Sequence, residues 1–442
     1  MTLEDVSSWL NLACFKDSEL SGVCIDSRQV QPGSLFVAIR GDRFDGHDFI
    51  LQAEAQGAAA VVCQQAVPGL VIPQLVVADT VQALAIMGRA YRQTLSCAVI
   101  ALTGSNGKTT VKEMIAAMLP KPAFATPGNL NNHIGAPLSV LSLLPSHRFA
   151  VFELGASHLG EIAHTVAVVQ PHVTLINNIA PAHIEGFGSI DGVAHAKGEI
   201  HQGLGADGTA VINDDDAYAH FWDPLLSRKK IIRFSASHAQ DVSARAITFT
   251  TTGCAQFVLI TPQGEASVQL RVPGQHNLQN ALAASACAHA LGIALVDIVL
   301  GLHQFSGVSG RMTFLSGKKQ ACIIDDTYNA NLSSALTALD VLAKHKGRRI
   351  FVFGDMGELG SFSKQHHEQV GIAALEQGID RVMTCGTQSQ ATAVAFGVGA
   401  RHYDSQEALL HDLIDQLDAT TTVLVKGSRS SEMEKIVHRL VA

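Results

Sequence analysis

The stretch "CAVIALTGSNGKTTVKEMIAAML", residues 97–119, limits the possible folds more than any other part of the chain. Cys97 to Leu102 form a short apolar run, and Val111, Met114, Ile115, Met118 and Leu119 recur at helical spacing. The pattern predicts a strand, a glycine-rich turn and a helix in succession. Such a succession gathers backbone N–H groups at a helix N-terminus, where the helix dipole favours an anion. Gly104, Ser105, Asn106, Gly107, Lys108, Thr109 and Thr110 are therefore expected to hold a nucleotide, with Lys108 on the outer phosphates and Thr109 on a magnesium ion. The commoner form of this loop has a glycine where Leu102 stands, so the loop is a T-G-x-x-G-K-T variant. A chance glycine turn with a surface lysine is the plain alternative.

A strand–loop–helix of this kind belongs in an α/β protein, and the rest of the chain fits one. At 442 residues two or three domains are expected. Residues 1–82 carry short strands such as "GSLFVAI" and form a small mixed α/β domain, ending where Asp79 and Thr80 read as a helix N-cap. Residues 83–311 alternate apolar strands with helices ("AVIALTG", "FAVFELGAS", "HVTLINNIA", "GTAVINDDD"), which implies a parallel sheet of phosphate-loop ATPase type covered on both faces. Residues 312–442 repeat the alternation in a Rossmann-like α/β domain. Ligands of such sheets bind at the carboxyl ends of the strands.

Composition removes other classes. Hydrophobic residues make up 47% and charged residues 16%, as in a globular protein with large cores. The net charge of −8 argues against a nucleic-acid partner. "MTLEDVSSWLNLACFKDSEL" has no apolar signal region, and no uncharged run reaches membrane-spanning length, so a cytoplasmic protein without a membrane partner is expected. Eight scattered cysteines without a C-x-x-C pair read as free thiols.

Each central strand delivers polar residues to the edge where the phosphate loop opens. "FAVFELGAS" brings Glu153 and "HVTLINNIAPAHIEG" brings His183; beside a triphosphate the pair suggests a second divalent ion, whereas alone they read as a helix cap and a loop histidine. Lys197 in "VAHAKGEI" has no role on physical grounds alone. "GNLNNHIGAPL" offers Asn129, Asn131 and Asn132 to a crowded anionic site, or is merely a turn. Asn277 and Asn280 share one face at a helix start, suited to capping or to a purine edge.

The ordered set "TGSNGKTT", "GNLNNHIGAPL", "ELGAS", "AHIEGFGS", "AKGEI", "HNLQNALAA", "DDTYNAN", "FGDMGELG" and "VKGSRSSEM" resembles the Mur ligase family of cytoplasmic peptidoglycan enzymes over nearly the whole chain. The resemblance is greatest to those members that add D-alanyl-D-alanine to UDP-N-acetylmuramoyl-tripeptide. It implies that ATP phosphorylates a substrate carboxylate and that an incoming amine attacks the acyl phosphate. By the same similarity Lys108, Lys197, His183 and Asn132 are catalytic. Thr109, Glu153, His183 and Lys197 hold two Mg2+ ions, Lys197 as a carbamate. Asn277, Asn280, Arg311 and Asp326 serve the nucleotide. Ser27, Arg28, Asp45, Gly46, His47, Tyr328, Asn329 and Asn331 serve the other substrates, and the enzyme is expected to be a monomer. Three positions depart from the family pattern: Leu332 replaces a proline, His195 a fixed cation, and Ala101 a glycine. A ligase adding the third amino acid of the peptide, a folate-polyglutamate ligase and a nucleotide-driven switch are the alternatives.

Overall fold

The computed structural model of the protein describes residues 1–13, 18–41, 44–181 and 184–441. The described residues form three sheets. The first is parallel, with strands Gly22–Cys24, Ser34–Val37, Ala60–Cys63 and Gln74–Val76 side by side in chain order. The central sheet has nine strands, in the order Gly264–Pro273, Cys254–Thr261, Val242–Phe249, Lys230–Ser235, Thr209–Asn213, Val173–Ile176, Ala98–Thr103, Phe149–Glu153 and Ala123–Ala125. Its first three strands pair antiparallel and the rest are parallel. The hairpin of Cys254–Thr261 and Gly264–Pro273 was not anticipated by the alternation of strands and helices. The third sheet runs Thr313–Ser316, Cys322–Asp326, Thr421–Lys426, Arg348–Phe353, Arg381–Cys385 and Ala400–Tyr403, antiparallel only at its first pair.

Ala98–Thr103 lies between the strands ending at Glu153 and Ile176, where successive connections turn to opposite sides of the sheet. A crevice opens at the carboxyl end of such a strand pair. The phosphate loop leaves Thr103 into this crevice and enters the helix Lys108–Met118, whose Val111, Met114, Ile115 and Met118 are buried beneath it.

Asp79 caps the helix Thr80–Gln93 by accepting from the N–H groups of Val81 and Gln82 at 2.8 and 3.0 Å. The division expected after residue 82 therefore falls inside a continuous helix. Ala83, Leu84 and Met87 of that helix join one apolar cluster with Leu35, Val37 and Val62 of the first sheet and Val99 and Phe152 of the central sheet. Among the described residues, the apolar clusters of the third sheet include none from the other two. No described helix is long and apolar enough to cross a membrane. The seven described cysteines are free thiols.

Candidate active site

A cleft of about 450 Å³ lies between the carboxyl edges of the central and third sheets. The phosphate loop forms its floor. Gly104 and Gly107 have φ of 155° and 78°, and a Cβ on Gly107 would come within 2.6 Å of Asn280 Oδ1 and 2.7 Å of Asn177 Nδ2. Only glycine fits so close an approach. Backbone N–H groups of Ser105 and Asn106 donate to Asn178, and Ser105 Oγ donates to the Ala180 carbonyl at 2.9 Å. Lys108 Nζ donates to the Gly104 carbonyl at 2.9 Å. Burial pushes the Lys108 ammonium below its ordinary pKa, with Glu153 opposing that shift and Arg311 adding to it.

Glu153 ends its strand almost fully buried. Its Oε1 accepts from Asn131 Nδ2 at 2.8 Å, while Oε2 is buried without a hydrogen-bond partner. An anionic oxygen left bare in this way is costly unless a cation meets it. Lys197 is 1% exposed on the helix Ile190–Gly198, with Nζ 6.0 Å from the centroid of the Phe187 ring. Burial, and next the charge of Lys108, pushes the Lys197 ammonium well below its ordinary pKa. Among the described residues no three His, Cys, Asp or Glu side chains form a protein-only metal cage. A bare carboxylate oxygen and the Thr109 hydroxyl instead suit an oxygen-loving ion completed by phosphate and water, and a lysine fits that set only once its charge is reversed. His183 lies outside the described residues.

The third sheet closes the cleft. Arg311 Nη2 donates to Thr109 Oγ1 at 2.9 Å, and its guanidinium lies 4.0 Å over the Tyr328 ring. Asn331 caps the helix Leu332–Ala343 through Oδ1 and donates from Nδ2 to Asn106 Oδ1 at 3.0 Å. Asp326 Oδ2 pairs with the buried Lys426 at 2.6 Å, and Oδ1 accepts from the Met312 N–H at 3.2 Å. Asn329 and Tyr328 line the same wall. Against the phosphate loop Asn280 Nδ2 donates to Asn277 Oδ1 at 3.1 Å, Asn277 Nδ2 donates to the Pro273 carbonyl, and Asn280 Oδ1 accepts from Asn177.

Some expected residues are arranged differently. Asn132 lines the cleft, but its Oδ1 accepts from the N–H groups of Ile134 and Gly135, so the amide that touches Glu153 is that of Asn131. Ser27, Arg28, Asp45, Gly46 and His47 lie in the first unit and are not among the cleft-lining residues. Arg28 pairs with Asp26. Asp45 accepts from the N–H and ring Nδ1 of His47 and from Arg40, contacts that hold its carboxyl well below the usual range. Gln64 N–H donates to His47 Nε2 at 2.9 Å, so both ring nitrogens are engaged within the chain. The motifs assigned no role to Lys426, one strand away from Asp326, or to His276, whose pKa burial pushes down to about 4. Both stand inside motifs that carry the family resemblance, Lys426 in "VKGSRSSEM" and His276 directly before Asn277 in "HNLQNALAA".

Family models match in three blocks: Mur ligase family, catalytic domain, over residues 19–92; Mur ligase middle domain over 102–288; and Mur ligase, glutamate ligase domain, over 310–429. The UDP-N-acetylmuramoyl-tripeptide--D-alanyl-D-alanine ligase of Escherichia coli K12 is 45% identical over 96% of this chain and 94% of its own length. The chain belongs to the Mur ligase family. Among solved Mur ligases, a MurF from Acinetobacter baumannii superposes with a TM-score of 0.92 at 37% identity, covering 99% of this chain and 98% of that one. MurF from Thermotoga maritima in complex with ADP superposes at 0.81 and 28% identity, covering 95% and 96%.

Proposed function

We infer that this Mur ligase is an ATP-dependent, ADP-forming ligase that joins D-alanyl-D-alanine to UDP-N-acetylmuramoyl-tripeptide during peptidoglycan precursor synthesis. The single observation that carries the chemistry is the buried, bare Glu153 Oε2 beside Lys108 of the phosphate loop. The names and full-length coverage of the relatives supply the substrates. The nucleotide-linked sugar substrate is consistent with work in the cytoplasm, and we propose that one copy of the chain suffices, because both walls of the cleft come from it.

Phosphoryl transfer to a carboxylate crowds several anions together, so positioning and cationic stabilisation govern the rate rather than a protein nucleophile. Lys108 and Arg311 face the phosphates from two domains. The tripeptide carboxylate attacks the γ-phosphorus and ADP leaves; the dipeptide amine then attacks the acyl carbon and phosphate departs, leaving an amide. Asn277 and Asn280 serve the adenine side, and Asp326, steadied by Lys426, serves the ribose. Docking of the third domain excludes water that would otherwise hydrolyse the acyl phosphate. Magnesium, held by Thr109 on one side and by Glu153 with His183 and a carbamylated Lys197 on the other, would neutralise the developing charge. The depressed Lys197 pKa supports carbamylation, since only the neutral amine adds CO2, releasing a proton as the carbamate forms. Ser27, Arg28 and the Asp45–His47 turn serve the UDP-sugar, and Tyr328, Asn329 and Asn331 the dipeptide side.

The test is phosphate release from ATP with both substrates, with each omitted, and with free amino acids in place of the dipeptide. Release only with both, and a product heavier by the dipeptide, supports the reading; release indifferent to the dipeptide rejects it. Lys197→Ala should lower ligation by about 10²-fold or more while ATP still binds, as expected for loss of an electrostatic stabiliser.

A further inference from the structure

Glu199 has no part in the scheme above. The helix Glu161–Val169 begins at Gly160, which sits at a φ of 86° and has no side chain to cap the helix. Its open N–H groups are taken by a distant residue: Glu199 Oε1 accepts from Gly160 N–H at 2.7 Å and Oε2 from Ala163 N–H at 3.0 Å. A carboxylate spanning two backbone donors at a helix N-terminus is a charge-assisted contact of defined direction. Glu161 closes the same loop from the other side, its Oε2 accepting from the N–H groups of Ser157 and His158 at 2.7 and 3.3 Å. That loop starts at Glu153, and Glu199 follows Lys197 by two residues in sequence. One carboxylate therefore clamps the segment carrying Lys197 onto the loop leaving Glu153. A cap at residue 160 itself would have stabilised the helix equally well, but would have tied nothing to Lys197.

We propose that Glu199 is a positioning residue that sets the separation of Lys197 and Glu153, and so the divalent-cation site these two residues serve. The proposal rests on the assignment of Lys197 and Glu153 given above. Outer partners that orient metal ligands are typically worth 10–100-fold in metal affinity.

The experiment compares full-length wild type, Glu199→Gln and Glu199→Ala. It measures Mg2+ half-saturation of phosphate release, the KM for ATP, the melting temperature, and the lysine-carbamate signal by carbon-13 NMR in labelled bicarbonate. The expected result is a rise of about tenfold or more in half-saturating Mg2+ and a weaker carbamate signal, with the KM for ATP within about twofold. Unchanged Mg2+ dependence would overturn the proposal. So would a parallel decline of every parameter with melting temperature, the pattern of a helix cap alone. The near-isosteric Gln variant decides the matter if the Ala variant does not fold. A wild-type enzyme without the carbamate signal would instead sink the Lys197 assignment, and the proposal with it.

Discussion

A methyl group at residue 107 would press on Asn280 and Asn177 at 2.6 and 2.7 Å from a left-handed backbone. Gly107→Ala should therefore weaken nucleotide binding, with a conformational cost of about 1–3 kcal/mol, and a fluorescent-nucleotide titration of the folded variant measures it. His201 makes a second prediction. Its Nδ1 meets Thr174 Oγ1 at 2.8 Å, its Nε2 is buried without a partner, and burial pushes its pKa down to about 3. Because the folded value is depressed, the unfolded chain binds the extra proton; the neutral imidazole's contribution is complete above about 6.5 and is lost as pH falls toward 3. Thermal melts between pH 7 and 4 should show a fall in stability that is smaller in His201→Asn. At this scale the sequence was partly legible. The phosphate loop announced itself because its glycines and Lys108 are adjacent in the chain. The choice between Asn131 and Asn132 was hidden, since it depends on how a turn points two neighbouring amides.

The helix Leu332–Ala343 shows how an element absorbs a departure from the family pattern. Leu332, which the family resemblance reads as replacing a proline, occupies the first turn after Asn331, whose extended φ and ψ of −134° and 170° are compatible with a following proline. The reciprocal cap between Asn331 and Ser334 already secures the helix start. Leu332→Pro should therefore fold normally and change stability by less than about 1 kcal/mol, checked by urea denaturation. Asn331→Ala should cost about 1 kcal/mol through the lost cap and also raise the KM for ATP, because it removes the contact to Asn106. Strands ending in Gly or Asp were readable from apolar runs bounded by turn residues. The antiparallel hairpin at the sheet edge was passed over, although polar and apolar residues alternate in its second strand, "GEASVQLRVP"; the first, "CAQFVLIT", is a nearly continuous apolar run.

Across the whole molecule, Arg311 ties the third unit to the phosphate loop through Thr109 and stacks on Tyr328. Arg311→Lys keeps the charge but loses the planar stack, so it should recover little of what Arg311→Ala loses in ATP affinity, and small-angle scattering with and without ADP should show weaker compaction in both. Such pairings join residues some 200 positions apart, as do Asn106 and Asn331, and no local pattern encodes them. The apolar cluster that fuses the first and central sheets has a thermal counterpart. Unfolding those two units must carry a large heat-capacity change, whereas docking of the third, made through amides, a hydroxyl and a guanidinium, carries a small one. Calorimetry should therefore find a docking enthalpy that hardly changes with temperature, beside an unfolding enthalpy that climbs steeply with it.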